Sequence, residues 1–301
     1  MKKMNIKQRI GRLLLLPIFM FGLVFNACED DIINLVPFNQ ISETIAFDTP
    51  ELVYLSVMGM YNAAQIGYFI NAGNRGYPFS AAFVQQGDKR GEDVVNIFAF
   101  YAITYQGTYT PFTANNVYYW IDTYRLINRI NIVAEGVMEA ADNGVISQEL
   151  ANAYKGEALL LRAAAYHELL VFFARPYSHT ADASHMGVPY HKTPFTTQAA
   201  IDEGLATGRH SVAQVYAWIL EDLNFAEQHL PLRSGYSGNQ RVSRGTKGAA
   251  AAYKARIHQH MWNMDGVIAE ATKFVDGGVY AGHYALETEP WTVFYNNYTS
   301  T

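Results

Sequence analysis

Across 301 residues the chain is 50% hydrophobic, 14% aromatic and 16% charged, with a formal net charge of −5 and one cysteine. So much apolar material excludes disorder for most of its length. The acidic balance, with no basic stripe, excludes nucleic acid as a partner, and a lone cysteine excludes an intrachain disulfide.

The chain opens with Lys2, Lys3, Lys7, Arg9 and Arg12, an apolar run from Leu13 to Phe25, then Asn26-Ala27-Cys28-Glu29-Asp30-Asp31. Roughly 20 apolar residues are needed to span a bilayer, so this shorter run reads as the core of an export signal over residues 1–27. Ala27 before Cys28 suits a lipoprotein signal peptidase, although Phe25 stands where bacterial lipoboxes usually carry Leu. Acylation of Cys28 then accounts for the only thiol, and several acyl chains anchor stably. Loss of the five signal cations takes the net charge from −5 to −10.

Residues 28–47 read as a lipidated tether and arm, and residues 48–301 as one helical domain. Asp48-Thr49-Pro50-Glu51 starts a helix whose apolar residues run almost all round to Gln65, with Gly67 as its stop. Residues 67–113, rich in Gly and Tyr, read as a long irregular insertion of functional character. Trp120, Tyr124, Ile127, Ile130, Ala134 and Val137 lie on one helical face, with Asn128 and Asn131 beside it. A further helix spans Gln148 to Ala174, with Gly156, Ala158, Ala163 and Ala164 permitting close helix approach; Arg175-Pro176 stops it. Residues 177–209 read as a second irregular insertion. Ser211 to Gln214 forms a capping box before the stripe Val212, Val215, Ile219, Leu223, Ala226 and Leu230. After a loop over 233–240, Ser243 is the expected cap of a helix through Met261, and another follows to Gly277-Gly278. Trp120 and Trp218, on helical stripes, read as core. The expected fold is all-α: a tetratricopeptide-like framework of helix pairs with long irregular insertions.

Three blocks carry a resemblance: Trp120 to Asn131, Gly156-Glu157-Ala158 through Arg162-Ala163 to Tyr166, and Arg241 to Ala249. Together with the lipidated start they resemble the RagB/SusD family of nutrient-capturing outer-membrane lipoproteins, and Glu29-Asp30-Asp31 resembles the acidic export tag of Bacteroidetes surface lipoproteins. The resemblance implies a surface-exposed lipoprotein on the outer membrane. It also implies a TonB-dependent transporter as partner, and oligosaccharides, or peptides in some systems, as ligands. The family pattern continues beyond Thr301, so it further implies that a C-terminal part contributing to the ligand surface is missing.

Sugar capture needs rings to stack on pyranose faces and a few amides or carboxylates for the hydroxyls. The expected ligand residues are Tyr77, Asp88, Asn96, Tyr101, Tyr105 and Tyr109, with Trp291 and Tyr295 near the end. Catalytic chemistry has no comparable support. His167-Glu168 begins like a zinc-peptidase helix, but Val171 stands where the second histidine must recur. His258 and His260 point apart on a helix. No nucleophile elbow, phosphate loop or calcium loop occurs, so no cofactor, metal or enzymatic activity is expected. The competing readings are a helical interaction scaffold without a ligand, and a glycan hydrolase built on carboxylates such as Asp88, Glu92 and Asp93.

Overall fold

The computed structural model describes residues 45–67, 76–97, 99–285 and 289. Cys28, Trp291 and Tyr295 lie outside the described residues. The chain divides into two units, Met1–Ala46 and Phe47–Thr301, and the second carries the architecture below.

Helix α1 (Pro50–Ile66) begins where the sequence predicts. Thr49 accepts the Leu52 N–H at 3.3 Å, and Pro50 occupies a first-turn position that needs no N–H. It ends at Gly67, whose φ of 68° is left-handed. The insertion that follows is not wholly irregular: α2 (Ala81–Asp88) and the single turn α3 (Ala102–Tyr105) lie within it. Both are too short to show a helical period in the sequence.

Helices α4 (Ala114–Asp142) and α5 (Gln148–Phe173) are the longest. The second insertion contains α6 (Gln198–Ala206), capped by Thr197. Helix α7 (Val212–His229) starts at the predicted Ser211 cap, which accepts the Gln214 N–H at 3.2 Å. The predicted loop holds a helical turn, α8 (Gln240–Ser243), so the cap of α9 (Lys247–His260) is Thr246 rather than Ser243. Helix α10 (Met264–Ala271) starts from Asn263.

The longer helices pack in chain order: α1 on α4, α4 on α5, α5 on α7, α7 on α9 and α9 on α10. The short connections of α4 to α5 and of α9 to α10 make antiparallel pairs, the unit of a helical repeat. Every predicted member of the α7 stripe is buried; Val212, Val215, Ile219 and Leu223 meet Ile127, Ile130 and Leu169 in one core, while Ala226 and Leu230 pack with Ala250 in a smaller one. Gly156 shows why a small residue sits at the α5–α7 crossing, since a Cβ there would stand 3.2 Å from Leu230 Cγ. At the far end Lys254 and Lys273 both bridge Glu227 and Glu270, at 2.5–2.8 Å, tying α7, α9 and α10 together. Among the described residues no helix is long and apolar enough to cross a membrane.

Candidate functional site

Two buried ion pairs organise the surfaces that could hold a ligand, and three of their four members, Glu157, Arg162 and Arg244, lie in the sequence blocks singled out above. Glu157 on α5 takes two bonds from Arg244, at 2.6 and 2.5 Å, and one from the Tyr61 hydroxyl at 2.5 Å. The Arg244 guanidinium also lies against the rings of Tyr54, Tyr61, Tyr154 and Tyr236, 5.5–5.8 Å from each centroid. One cation thus holds four aromatic rings. Burial opposes its charge, but the Glu157 carboxylate more than offsets that and raises its pKa. Burial, with Glu157 adding to it, raises the hydroxyls of Tyr61 and Tyr236 above their usual range, so both stay protonated donors.

Tyr54, Tyr154 and Tyr236 line an open groove of about 950 Å³, with Asn152, Gln228 and Gln240 beside them. Flat amphipathic rings next to amides are the donor set that stacks on a sugar ring and meets its hydroxyls. Lys247 spends its ammonium on the Gln228 carbonyl at 2.6 Å.

The second pair is Arg162 with Asp222, joined at 2.8 and 2.7 Å. It belongs to a set of helix side chains that fasten a strap, residues 189–195 of the second insertion. Tyr124 donates to the Pro189 carbonyl at 2.8 Å, Tyr190 to Asp222 at 2.8 Å, and Arg162 to the Lys192 carbonyl at 3.2 Å. Asn131 donates to the His191 and Thr193 carbonyls, both at 3.1 Å, and Asn128 accepts the Phe195 N–H at 2.7 Å. The two asparagines beside the α4 stripe therefore hold the strap. Between strap, α4 and α6 lies a second recess of about 320 Å³, lined by Trp120, Tyr124, Pro189, His191, Phe195, Ile201 and Leu205 among others. Trp120 and Trp218, expected in the core, both pack against it but are only half-buried, and the Trp120 ring also walls this recess.

The expected ligand residues separate by burial. Tyr77 is 1% exposed and packs with Tyr119 and Ala82, its hydroxyl accepting from Gln86. Tyr101 is 8% exposed. A ring closed off by packing offers no face to a sugar, so both are corrected to packing residues. Asp88 is exposed, and Tyr105 and Tyr109 are 44% and 46% exposed. Asn96 is half-buried and accepts from Lys89 at 2.6 Å, and the same ammonium sits 5.0 Å from the Tyr101 ring. Arg90 lies 5.5 Å from the Tyr109 ring, so the first insertion gathers Asn96, Tyr101 and Tyr109 around two adjacent cations. The groove and the recess were not legible as sites, since their walls come from helices and insertions far apart in sequence. The available signal was charge inside an Ala- and Leu-rich helix, at Glu157 and Arg162.

The remaining buried titratable cluster is structural. His167 is 1% exposed, with Nδ1 3.1 Å from the Tyr253 hydroxyl and its ring 4.5 Å from that of His260. Burial, reinforced by His260 and Arg256, pushes His167 down to about 3, while burial pushes Glu168 up to about 7. Their 4.0 Å approach is therefore no ion pair, because one of the two is neutral at any pH. A raised carboxyl contributes stability below its ordinary value of 4.5 and loses it as pH rises through about 7. His167 acts in the opposite sense, losing stability as pH falls from 6.5 towards 3. Glu168→Gln should stabilise the fold by about 3 kcal/mol at pH 8 and hardly at all at pH 4. Urea unfolding at both pH values checks this, and an equal effect at the two would refute the shift.

A family model described as SusD-like, "starch-binding associating with outer membrane", matches residues 60–258. In three dimensions the chain is similar to a SusD superfamily protein from Bacteroides fragilis, with 24% identity and a TM-score of 0.69 over 84% of this chain and 54% of that one. It is also similar to a SusD-like carbohydrate-binding protein from Bacteroides vulgatus, with 20% identity and a TM-score of 0.64 over 80% and 46%. A laminarin-binding SusD-like protein matches with 18% identity and a TM-score of 0.53 over 75% and 43%. No curated protein matches in sequence. At such identities the solved structures show the fold alone, and the chain spans about half their length. The fold is all-α and tetratricopeptide-like, as the helix pairs predicted. With the family model covering residues 60–258, from α1 into α9, the chain belongs to the SusD-like family of starch-binding, outer-membrane-associated proteins.

Proposed function

We propose that the protein is a surface lipoprotein, anchored through Cys28, that binds a neutral glycan and hands it uncleaved to a TonB-dependent outer-membrane transporter. The observation that carries the binding step is the groove in which Tyr54, Tyr154 and Tyr236 stand beside three amides. Neutral ligands are favoured because both cations of the groove are already engaged, Arg244 by Glu157 and Lys247 by a carbonyl, while Glu149 adds a carboxylate to the lining. Membership of the SusD-like family supports a glycan as ligand. The export signal and the acidic residues after Cys28 support the location.

Titration calorimetry with laminari- and malto-oligosaccharides tests the reading. Tyr154→Ala, which removes a ring face without touching the Glu157 carboxylate, should weaken binding about tenfold, the equivalent of 1.4 kcal/mol. Unchanged affinity in both Tyr154→Ala and Tyr54→Ala would move the site out of the groove. Absence of binding to any oligosaccharide would reject the glycan reading itself.

A further inference from the structure

The recess between the strap and α6 shares no lining residue with the groove, and its chemistry differs. Its walls are Trp120, Tyr124, Pro189, Phe195, Ile201 and Leu205, and the polar atoms nearby are mostly committed. The Tyr124 hydroxyl donates to Pro189 and the Thr207 hydroxyl to the Glu203 carbonyl at 2.9 Å. Among the described residues the indole N–H of Trp120 and the ring nitrogens of His191 make no hydrogen bond. Burial, with His210 adding to it, lowers the His191 pKa, so its ring is neutral at neutral pH.

A free sugar is poorly served by such a surface. A pyranose carries a hydroxyl on most carbons, and each one buried without a partner costs about 1–3 kcal/mol. A planar aromatic ring has no such cost and meets ring edges and faces already set at angles to receive it. Trp120 and Tyr124 are tilted by 50° at 4.7 Å, and His191 and Phe195 stand edge to face at 4.9 Å. The volume of about 320 Å³ lies at the small end of ligand pockets. One wall is set by a close backbone approach: a Cβ on Gly204 would meet the Phe195 ring, so glycine lets α6 lie against that ring as it stands.

We infer that this recess is a second binding site, for a phenolic ring bearing one polar substituent that hydrogen-bonds to His191 or the Trp120 N–H. The ring can arrive as a free phenol or as an aryl group attached to a sugar. This inference stands apart from the glycan reading of the groove.

Calorimetry on the whole protein uses p-cresol, 4-nitrophenyl β-glucoside and methyl β-glucoside as probes. Leu205 is 82% exposed, so Leu205→Asp places a charge on the apolar wall without disturbing the core. The expected result is that p-cresol binds, that Leu205→Asp weakens it at least about tenfold, and that Tyr154→Ala leaves it unchanged. Binding of the aryl glucoside that is lost in Leu205→Asp would identify sugar-borne rings as a source, and its absence with p-cresol bound would restrict the site to free phenols. The inference is overturned if p-cresol does not bind, if Leu205→Asp and Ile201→Asp both bind it normally, or if methyl β-glucoside competes with it. Failure here leaves the Tyr154→Ala result intact, and the reverse also holds.

Discussion

Arg162→Met is expected to lower stability by about 3–5 kcal/mol, because it leaves the Asp222 carboxylate buried without its cation. Asp222 would keep one bond, from Tyr190 at 2.8 Å, against the three it now receives. The loss extends to the strap, since Arg162 also donates to Asn131 at 2.8 Å and to the Lys192 carbonyl. For a domain of this size the melting temperature should fall by roughly 10 °C. The double variant Arg162→Met with Asp222→Leu separates the causes. It should recover much of the loss, because replacing a whole buried pair by apolar side chains is often near neutral. A single variant that melts with the wild type would show that the pair does not hold the strap.

Glu157→Gln should have the second largest effect, and it should change what the groove accepts. Glutamine keeps the shape but removes the charge opposing Arg244, whose side chain is 6% exposed. The expected destabilisation is about 3 kcal/mol, since an uncompensated cation remains in a largely dry position. Tyr61 and Tyr236 donate to different oxygens of Glu157, one of which becomes an NH2 donor in glutamine. The groove then carries a guanidinium without a counter-charge among tyrosine rings. Binding should therefore shift from neutral oligosaccharides towards those bearing uronic acids, measured by calorimetry with paired neutral and oxidised ligands. No gain of acidic ligand would mean that Arg244 is not accessible from the groove.

What could be read from the chain follows from how local each signal is. Thr49 and Ser211 cap α1 and α7 because hydroxyls accept N–H groups three residues on, a relation visible in sequence. The stripe from Val212 to Leu230 is buried because a period of 3.6 residues places it on one face. The short helices α2, α3 and α6 carry too few turns to show that period. The site was harder, because its controlling contacts are remote: Glu157 lies 87 residues from Arg244, and Arg162 lies 60 from Asp222. Aromatic residues misled in both directions. Tyr77 and Tyr101, expected at a surface, are closed off by packing, whereas Trp120, expected in the core, walls a recess. A large ring on a helical stripe can be both part of the core and part of a surface, and its sequence neighbours do not say how much of it is covered.

The nine residues of α6 bury none of their side chains in the core. They rest on the frame through Gly204 against Phe195 and through their own cap at Thr197. A segment attached in this way is modular. Its length and outer residues are free to vary without reaching the helices beneath, whose strap is fastened separately by Arg162, Asn131 and Tyr124. Substitutions in one short helix can thus reshape the recess while the load of folding stays on the residues beneath it.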